Sequence, residues 1–386
     1  SAGAKMKNLI NLSGSDRLNL RVEGQILLSE SIKNGKTRQT QKEFASAGEA
    51  QKACIKKEWE SLKKGYVMQN ADARPGETSL HVYIGGGYTG ALAFASFEGE
   101  NFVYKCGGYK ENGSVDFLTR LGADGAIKGD IILPKPLAWH AQRAGEILLL
   151  DLDHFIFKFD PKTGEFADLS KELNFKRNRE FTSRVCAAGA AGETAAFAMF
   201  GQIFILRDGE ISLLTQYKAE MKSSTPIFCI ALSADGSRLA LCCKQNEIQI
   251  LSALDGSCGK ILSEIKGGSG ILDKICFLPD GSLLGKERHS DKLICLDATS
   301  GERLKPAWLR DKCAEADEFC VSAGGSRLAL ISYDKARIID LKSGNLRLNF
   351  ELSHVVKRCE AKFERINGEE FLAVRTDYGC FSLYHV

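Results

Sequence analysis

A strand-turn-strand unit recurs about every 45 residues from Thr89 to the C-terminus. Three copies are plain: Ile230-Ala-Leu-Ser-Ala-Asp-Gly-Ser-Arg-Leu-Ala-Leu241, Ile275-Cys-Phe-Leu-Pro-Asp-Gly-Ser-Leu-Leu284 and Phe319-Cys-Val-Ser-Ala-Gly-Gly-Ser-Arg-Leu-Ala-Leu330. In each, apolar alternation leads into a two-residue turn containing Gly, and alternation resumes, which is the pattern of a β-hairpin. A second turn glycine follows each copy, at Gly256, Gly301 and Gly344, and Gly125, Gly164 and Gly209 fill the same slot upstream. From Gly125 onward the spacings are 39, 45, 47, 45 and 43 residues. Repeats of this length made only of short strands predict the blades of a β-propeller.

The expected blades fall at 89–133, 137–173, 181–218, 227–265, 271–309, 318–352 and 355–386. The last is one strand short, and a spare strand, Leu80-His-Val-Tyr-Ile84, stands just before the first. Pairing the spare strand into the last blade closes a seven-bladed ring and removes an exposed sheet edge. The fold class read from the sequence is therefore mainly β. A seven-bladed propeller spans 80–386, behind a small α+β domain at 1–66 and a linker at 67–79.

The N-terminal stretch carries thirteen Lys/Arg and seven Asp/Glu up to Tyr66, a net charge of +6, so the other 320 residues carry 3 − 6 = −3. Leu18–Val22 and Gln25–Ile32 alternate as strands, Asn34-Gly35 is a hairpin turn, and the polar run Lys36–Lys42 is an exposed strand. Ser46-Ala-Gly-Glu49 fits a capping box. Behind it, Ala47, Ala50, Cys54, Ile55, Trp59 and Leu62 form one helix face, interrupted by Glu58. Gly65 suits the end of that helix.

Residues Leu18 to Tyr66 resemble the WGR domain. The likeness rests on Gln39-Thr-Gln-Lys-Glu-Phe44, on Ala45-Ser-Ala-Gly-Glu-Ala50 and on the helix closing on Leu62-Lys-Lys-Gly-Tyr66. WGR domains occur in poly(ADP-ribose) polymerases, where they contact DNA ends, and in bacterial MolR-type proteins. The name-giving Trp-Gly-Arg is absent, since the chain reads Ser29-Glu-Ser-Ile-Lys-Asn34 where it belongs. Contacts made by those side chains are not carried over. The repeat region resembles WD-repeat-like and YVTN-type propellers. No Trp-Asp pair closes a blade, and the resemblance brings no site residue with it.

Candidate sites follow from these features. Lys33, Lys36, Arg38, Lys42, Lys52, Lys56 and Lys57 form the candidate nucleic-acid-binding set, through salt-sensitive phosphate contacts. Gly85-Gly-Gly-Tyr-Thr-Gly90 spells a dinucleotide fingerprint, yet Ala91–Phe97 alternates as a strand where a helix is required. The six histidines are scattered over the repeats, and Asp151-Leu-Asp153-His154 reads as a turn or blade rim. Thirteen cysteines without a C-x-x-C pair read as reduced core thiols of a cytoplasmic protein. No catalytic, metal or cofactor residue is expected. No apolar run reaches the roughly 18 residues of a membrane helix, and the start of the chain has no signal-peptide pattern. The leading expectation is a non-catalytic scaffold whose propeller face binds a protein partner. The alternatives are a nucleic-acid-associated protein working through the basic domain, and a propeller hydrolase or lactonase with an axial site.

Overall fold

The computed structural model describes residues 6–86, 94–110, 113–143, 146–151, 155–171, 187–199, 202–216, 229–254, 259–267, 270, 272–288, 290–309, 315–354, 359–377 and 379–386. The N-terminal unit contains β1 (Lys7–Asn11), β2 (Arg17–Glu23), β3 (Ile26–Lys33), β4 (Lys36–Glu43), α1 (Ala47–Leu62), β5 (Tyr66–Gln69) and β6 (Thr78–Tyr83). The β3–β4 turn is built by Asn34 and Gly35, both at positive φ, +48° and +74°, as a two-residue hairpin loop requires. Ser46 caps α1 by accepting from the Glu49 N–H at 3.2 Å, and the Glu49 carboxylate accepts from the Ala45 N–H at 3.3 Å. Cys54 and Leu62 pack with Leu9, Leu20 and Leu27 between helix and sheet.

The propeller strands come in fours. The first set is β7–β10 (Phe94–Phe97, Glu100–Lys110, Gly113–Gly122, Ile127–Ile132) and the second β11–β14 (Leu137–Arg143, Glu146–Asp151, Ile156–Phe159, Phe166–Asp168). The third is β15–β18 (Ala187–Ala191, Thr194–Met199, Gln202–Arg207, Glu210–Gln216) and the fourth β19–β22 (Cys229–Leu232, Arg238–Lys244, Glu247–Ser252, Ile261–Lys266). The fifth is β23–β26 (Leu272–Phe277, Leu283–Glu287, Leu293–Leu296, Arg303–Leu304) and the sixth β27–β30 (Glu318–Val321, Arg327–Ser332, Lys335–Asp340, Leu346–Glu351). The chain ends with β31 (Cys359–Ile366), β32 (Glu369–Thr376) and β33 (Cys380–His385).

Each set of four is a separate antiparallel sheet, so the structure has six such blades and the expected count of seven is corrected. The place between the sixth and the first blade is filled by one end of a nine-stranded sheet, ordered β31-β32-β33-β6-β5-β1-β2-β3-β4. The spare strand does pair as expected, with Val82 opposite Phe381 and Leu80 opposite Leu383. It does not end the sheet, because its other edge takes up β5, with Met68 opposite His81. The stretch read as a linker thus carries β5 and the start of β6. β1, which the sequence reading did not mark, joins β5 to β2 through Leu9, opposite both Leu18 and Met68.

The turn glycines hold the positions that the spacing implied. Gly125, Gly164, Gly209, Gly301 and Gly344 each join the third and fourth strands of a blade at positive φ, and Gly256 lies outside the described residues. In the fourth and sixth blades the first-to-second hairpin loop is longer than two residues: the Ser233 N–H bonds the Arg238 carbonyl, and the Ser322 N–H bonds the Arg327 carbonyl. Adjacent blades share apolar layers, for example Leu241 with Ile205 and Leu328 with Leu284. The nine-stranded sheet packs Val82 and Phe381 against Phe94 and Val103 of the first blade. Arg375 on β32 locks that joint from inside. Its guanidinium donates to the carbonyls of Tyr104, Thr376, Cys380 and Gly85.

Candidate functional site

Strand alternation decides how the basic set is displayed. Residues opposite one another across an antiparallel pair share a face. Lys33 stands opposite Lys36, Ser31 opposite Arg38, Ser29 opposite Thr40 and Leu27 opposite Lys42. Leu27 and Ser29 lie buried under α1, so Lys33, Lys36, Arg38 and Lys42 lie on the helix-bearing face. On α1, Lys57 reaches the same side, donating from Nζ to Ser29 Oγ at 2.7 Å, and Ser29 in turn meets Thr40 Oγ1 at 2.6 Å. Burial, with Arg38 nearby, pulls the Lys57 ammonium below its ordinary value, although Cys54 opposes this. Lys52 and Lys56 follow the helix period to the opposite, exposed side, away from buried Cys54. The structure therefore gathers five members of the set and leaves two apart. Nearby rings are covered: Lys42 Nζ lies 5.1 Å from the Phe44 ring centre and Lys63 Nζ 3.6 Å from that of Trp59.

The other face of this sheet has a hollow of about 400 Å³ beside Met6, Arg21, Leu28, Glu30 and Gln41. Its carboxylate, Glu30, accepts from Asn19 at 3.1 Å and from Gln39 at 2.8 Å.

A buried polar cluster fixes the basic unit to the propeller, and sequence reasoning missed it. Glu58, fully buried on the apolar side of α1, pairs with Lys7 of β1. Its other oxygen lies 3.3 Å from His354 Nε2 and 3.9 Å from His81 Nε2. His81 also hydrogen-bonds Ser382 through Nδ1 at 2.5 Å and stands edge-on to Tyr384. Burial alone would push the Glu58 carboxyl up. Lys7, His354 and His81 together outweigh burial and hold it below the usual carboxylate range. The one sequence signal was a carboxylate interrupting an apolar helix face, since its partners lie far away in the chain.

An axial active site would need convergent carboxylates on the innermost strands. Glu318 of β27 is held by Lys274 of β23, whose ammonium also donates to the Phe319 carbonyl at 2.7 Å. Lys362 of β31 makes the matching bond to the Phe94 carbonyl of β7 at 2.7 Å. These lysines join inner strands of neighbouring sheets. Burial pushes the Cys276 and Cys320 thiols beside them up to about 12, which keeps them protonated and unreactive. Nine cysteines whose side chains are described, Cys54, Cys276 and Cys320 among them, are free thiols. Among the described residues, no three His, Cys, Asp or Glu side chains are placed to hold a metal ion, and no helix is long and apolar enough to cross a membrane.

The dinucleotide-like glycines also take a structural role where they are described. Gly86 has φ +73°, and a Cβ there would sit 2.6 Å from the Cys106 carbonyl oxygen. A strand, β7, follows, and residues 87–93 lie outside the described residues. Residues 152–154, including Asp153 and His154, lie outside them as well, as does His289.

No protein-family profile matches this chain, and no curated protein matches it. Solved structures do. A virginiamycin B lyase from Staphylococcus aureus is similar over 79% of this chain and 98% of its own, with a TM-score of 0.53 at 17% identity. A chain of the mitotic checkpoint complex is similar over 82% and 94%, with a TM-score of 0.57 at 11% identity. The Cps50 (Swd1) β-propeller domain of Myceliophteria thermophila is similar over 79% and 98%, with a TM-score of 0.52 at 12% identity. At these identities the likeness establishes the fold: the chain is a β-propeller.

Proposed function

We propose that this chain is a non-catalytic binding scaffold whose propeller face receives a protein partner. The observation that carries the reading is the nine-stranded sheet, which makes the basic unit a fixed extension of the propeller rather than a tethered one. A rigid disc with a rigid charged arm is suited to holding two things at a set distance. Propellers in multi-subunit assemblies, such as the mitotic checkpoint chain, lend the reading support by analogy of fold. In a four-stranded meander the first-to-second and third-to-fourth loops open on one face, which makes this loop face the natural docking side. The test places a photo-crosslinking residue at Ala234, Asp280 and Ser326 on loops of that face, and at Ile127 and Ile132 on an outer strand. Capture of one defined protein from the loop set alone supports the reading. Equal capture from both sets, or from neither, rejects it.

A second reading is favoured by the clustering of Lys33, Lys36, Arg38, Lys42 and Lys57 on the WGR-like unit. It is that residues 1–66 contact nucleic acid without sequence preference, because they offer charge and few base-reading groups. Binding should weaken steeply as salt rises from about 50 to 200 mM, and reversal of Lys36, Arg38 and Lys42 to Glu should abolish it. No binding at low salt rejects this reading.

A further inference from the structure

The free edge of the nine-stranded sheet is β4, and all eight of its residues are exposed. Antiparallel ladders alternate between hydrogen-bonded and non-hydrogen-bonded pairs. The Phe44 N–H bonds the Gln25 carbonyl at 2.9 Å, which sets the phase. Lys42, Thr40, Arg38 and Lys36 therefore bond inward to β3. Thr37, Gln39, Gln41 and Glu43 turn their N–H and C=O groups outward to the open edge. An added strand would bond to those four. Its side chains opposite Lys36, Arg38, Thr40 and Lys42 would fall at non-hydrogen-bonded pairs, where side chains approach most closely.

We propose that β4 is a docking edge for an extended acidic peptide that adds to the sheet antiparallel. Read from its N-terminus, the segment presents an acidic residue to Lys42, a Ser or Thr to Thr40, and acidic residues to Arg38 and Lys36, at every second position. The surface is separate from the propeller's loop face, and the proposal stands whether or not that face binds a protein. Charge selects the partner. A second copy of β4 is disfavoured, because antiparallel self-pairing sets Lys36 against Lys42. The same lysines guard the edge against indiscriminate strand addition. Nucleic acid fits the site less well, since the described rings here, Phe44 and Trp59, are covered by lysines and offer no stacking platform.

The test uses the full chain and a fluorescein-labelled peptide, Glu-Val-Thr-Val-Glu-Val-Glu, followed by anisotropy. Three controls accompany it: the same composition in reverse order, the same peptide with alternate backbone nitrogens methylated, and a single-stranded DNA oligomer. The forward peptide is expected to bind about tenfold more tightly than either peptide control. Arg38→Glu should remove binding. Gln39→Pro, which deletes an outward N–H while a proline is tolerated on an edge strand, should weaken it about tenfold. Equal binding of forward and methylated peptides overturns the proposal, as does binding of DNA but of neither peptide, or no binding at all. The methylated peptide keeps the test decisive even if the proline variant misfolds.

Discussion

Glu58 and His354 face each other at 3.3 Å across the joint between helix and propeller, and both side chains are withdrawn from water. Lys7 supplies the positive charge that a buried carboxylate requires. The residues come from α1, β1 and the segment after β30, so the cluster forms only when the unit is docked. It converts a basic appendage into a fixed part of the molecule.

Removing one member of the charged pair should therefore cost far more than removing both. Glu58→Ala leaves Lys7 without its partner in the joint, and is expected to destabilise the chain by about 3–5 kcal/mol in chemical denaturation. The double variant Lys7→Met/Glu58→Met should recover most of that loss, because a matched apolar pair leaves no uncompensated charge. Failure of the double variant to recover would show that the cluster stabilises through more than charge balance.

The same carboxylate sets a pH dependence whose sign is fixed. Its folded pKa lies below the reference 4.5, so its contribution is complete above that value and is lost as the pH falls towards the folded pKa. Glu58→Gln should flatten the stability curve below pH 4.5 relative to the wild-type chain, as measured by urea midpoints. An unchanged acid limb would mean that Glu58 is not ionised in the folded state.

Much of this architecture was legible because turns are local. Gly164, Gly209, Gly301 and Gly344 mark hairpins whose residues are neighbours in the chain, and their spacing alone marked the blades. The pairing of β6 with β33 was legible for a second reason, since a blade short of a strand needs one. What escaped notice depends on distant partners. β1 and β5 are too short to declare themselves, and Arg74-Pro75-Gly76 made the strand that begins at Thr78 look like the end of a linker. Hence the continuation of the closing sheet through β5 and β1 into nine strands could not be read in advance. Of the basic set, strand alternation could have placed Lys36, Arg38 and Lys42 on one face. The helix period could likewise have sent Lys52 and Lys56 away from it.

A turn aspartate gives a second acid-sensitive element. Asp235 accepts from the Ser233 hydroxyl and from the Ser237 N–H and hydroxyl. These bonds, against a smaller opposing effect of burial, hold its pKa at about 2, below the reference 3.8. Its stabilisation is full above pH 3.8 and lost between there and about 2. Asp235→Asn should lower Tm at neutral pH and narrow the gap to wild type as the pH approaches 2. A constant gap across that window would reject the assignment. The effect is small, since the carboxylate is exposed and screened.

Glycine is required twice over at Gly325. Its φ is +66°, and a Cβ would lie 2.3 Å from Pro279 Cγ on the preceding blade. Gly325→Ala should cost about 1–3 kcal/mol by combining backbone strain with a clash against a rigid ring. Gly209→Ala is the control: φ is +81° with nothing within 4 Å, so only the strain remains, about 1 kcal/mol. Equal losses at the two positions would remove the packing half of the argument.

Ring closure should depend on Arg375 more than on any single apolar residue at that joint. Its guanidinium satisfies carbonyls of Tyr104, Thr376, Cys380 and Gly85, and so holds β32, β33, β8 and the end of β6 together. Burial pulls its pKa below the usual arginine value, though Cys380 and nearby tyrosines oppose this. The group nevertheless stays protonated, because arginine begins so far above neutrality. Arg375→Met keeps the apolar stem but strips four carbonyls, three of them in buried bonds, of a donor, each a loss of about 1 kcal/mol. Arg375→Lys keeps the charge yet cannot reproduce a planar fork reaching four acceptors. Both variants should therefore lose stability to a similar degree, and both should raise hydrogen exchange first at β6 and β33, where closure occurs. A lysine variant as stable as wild type would mean that the charge, and not the geometry of the fork, closes the ring.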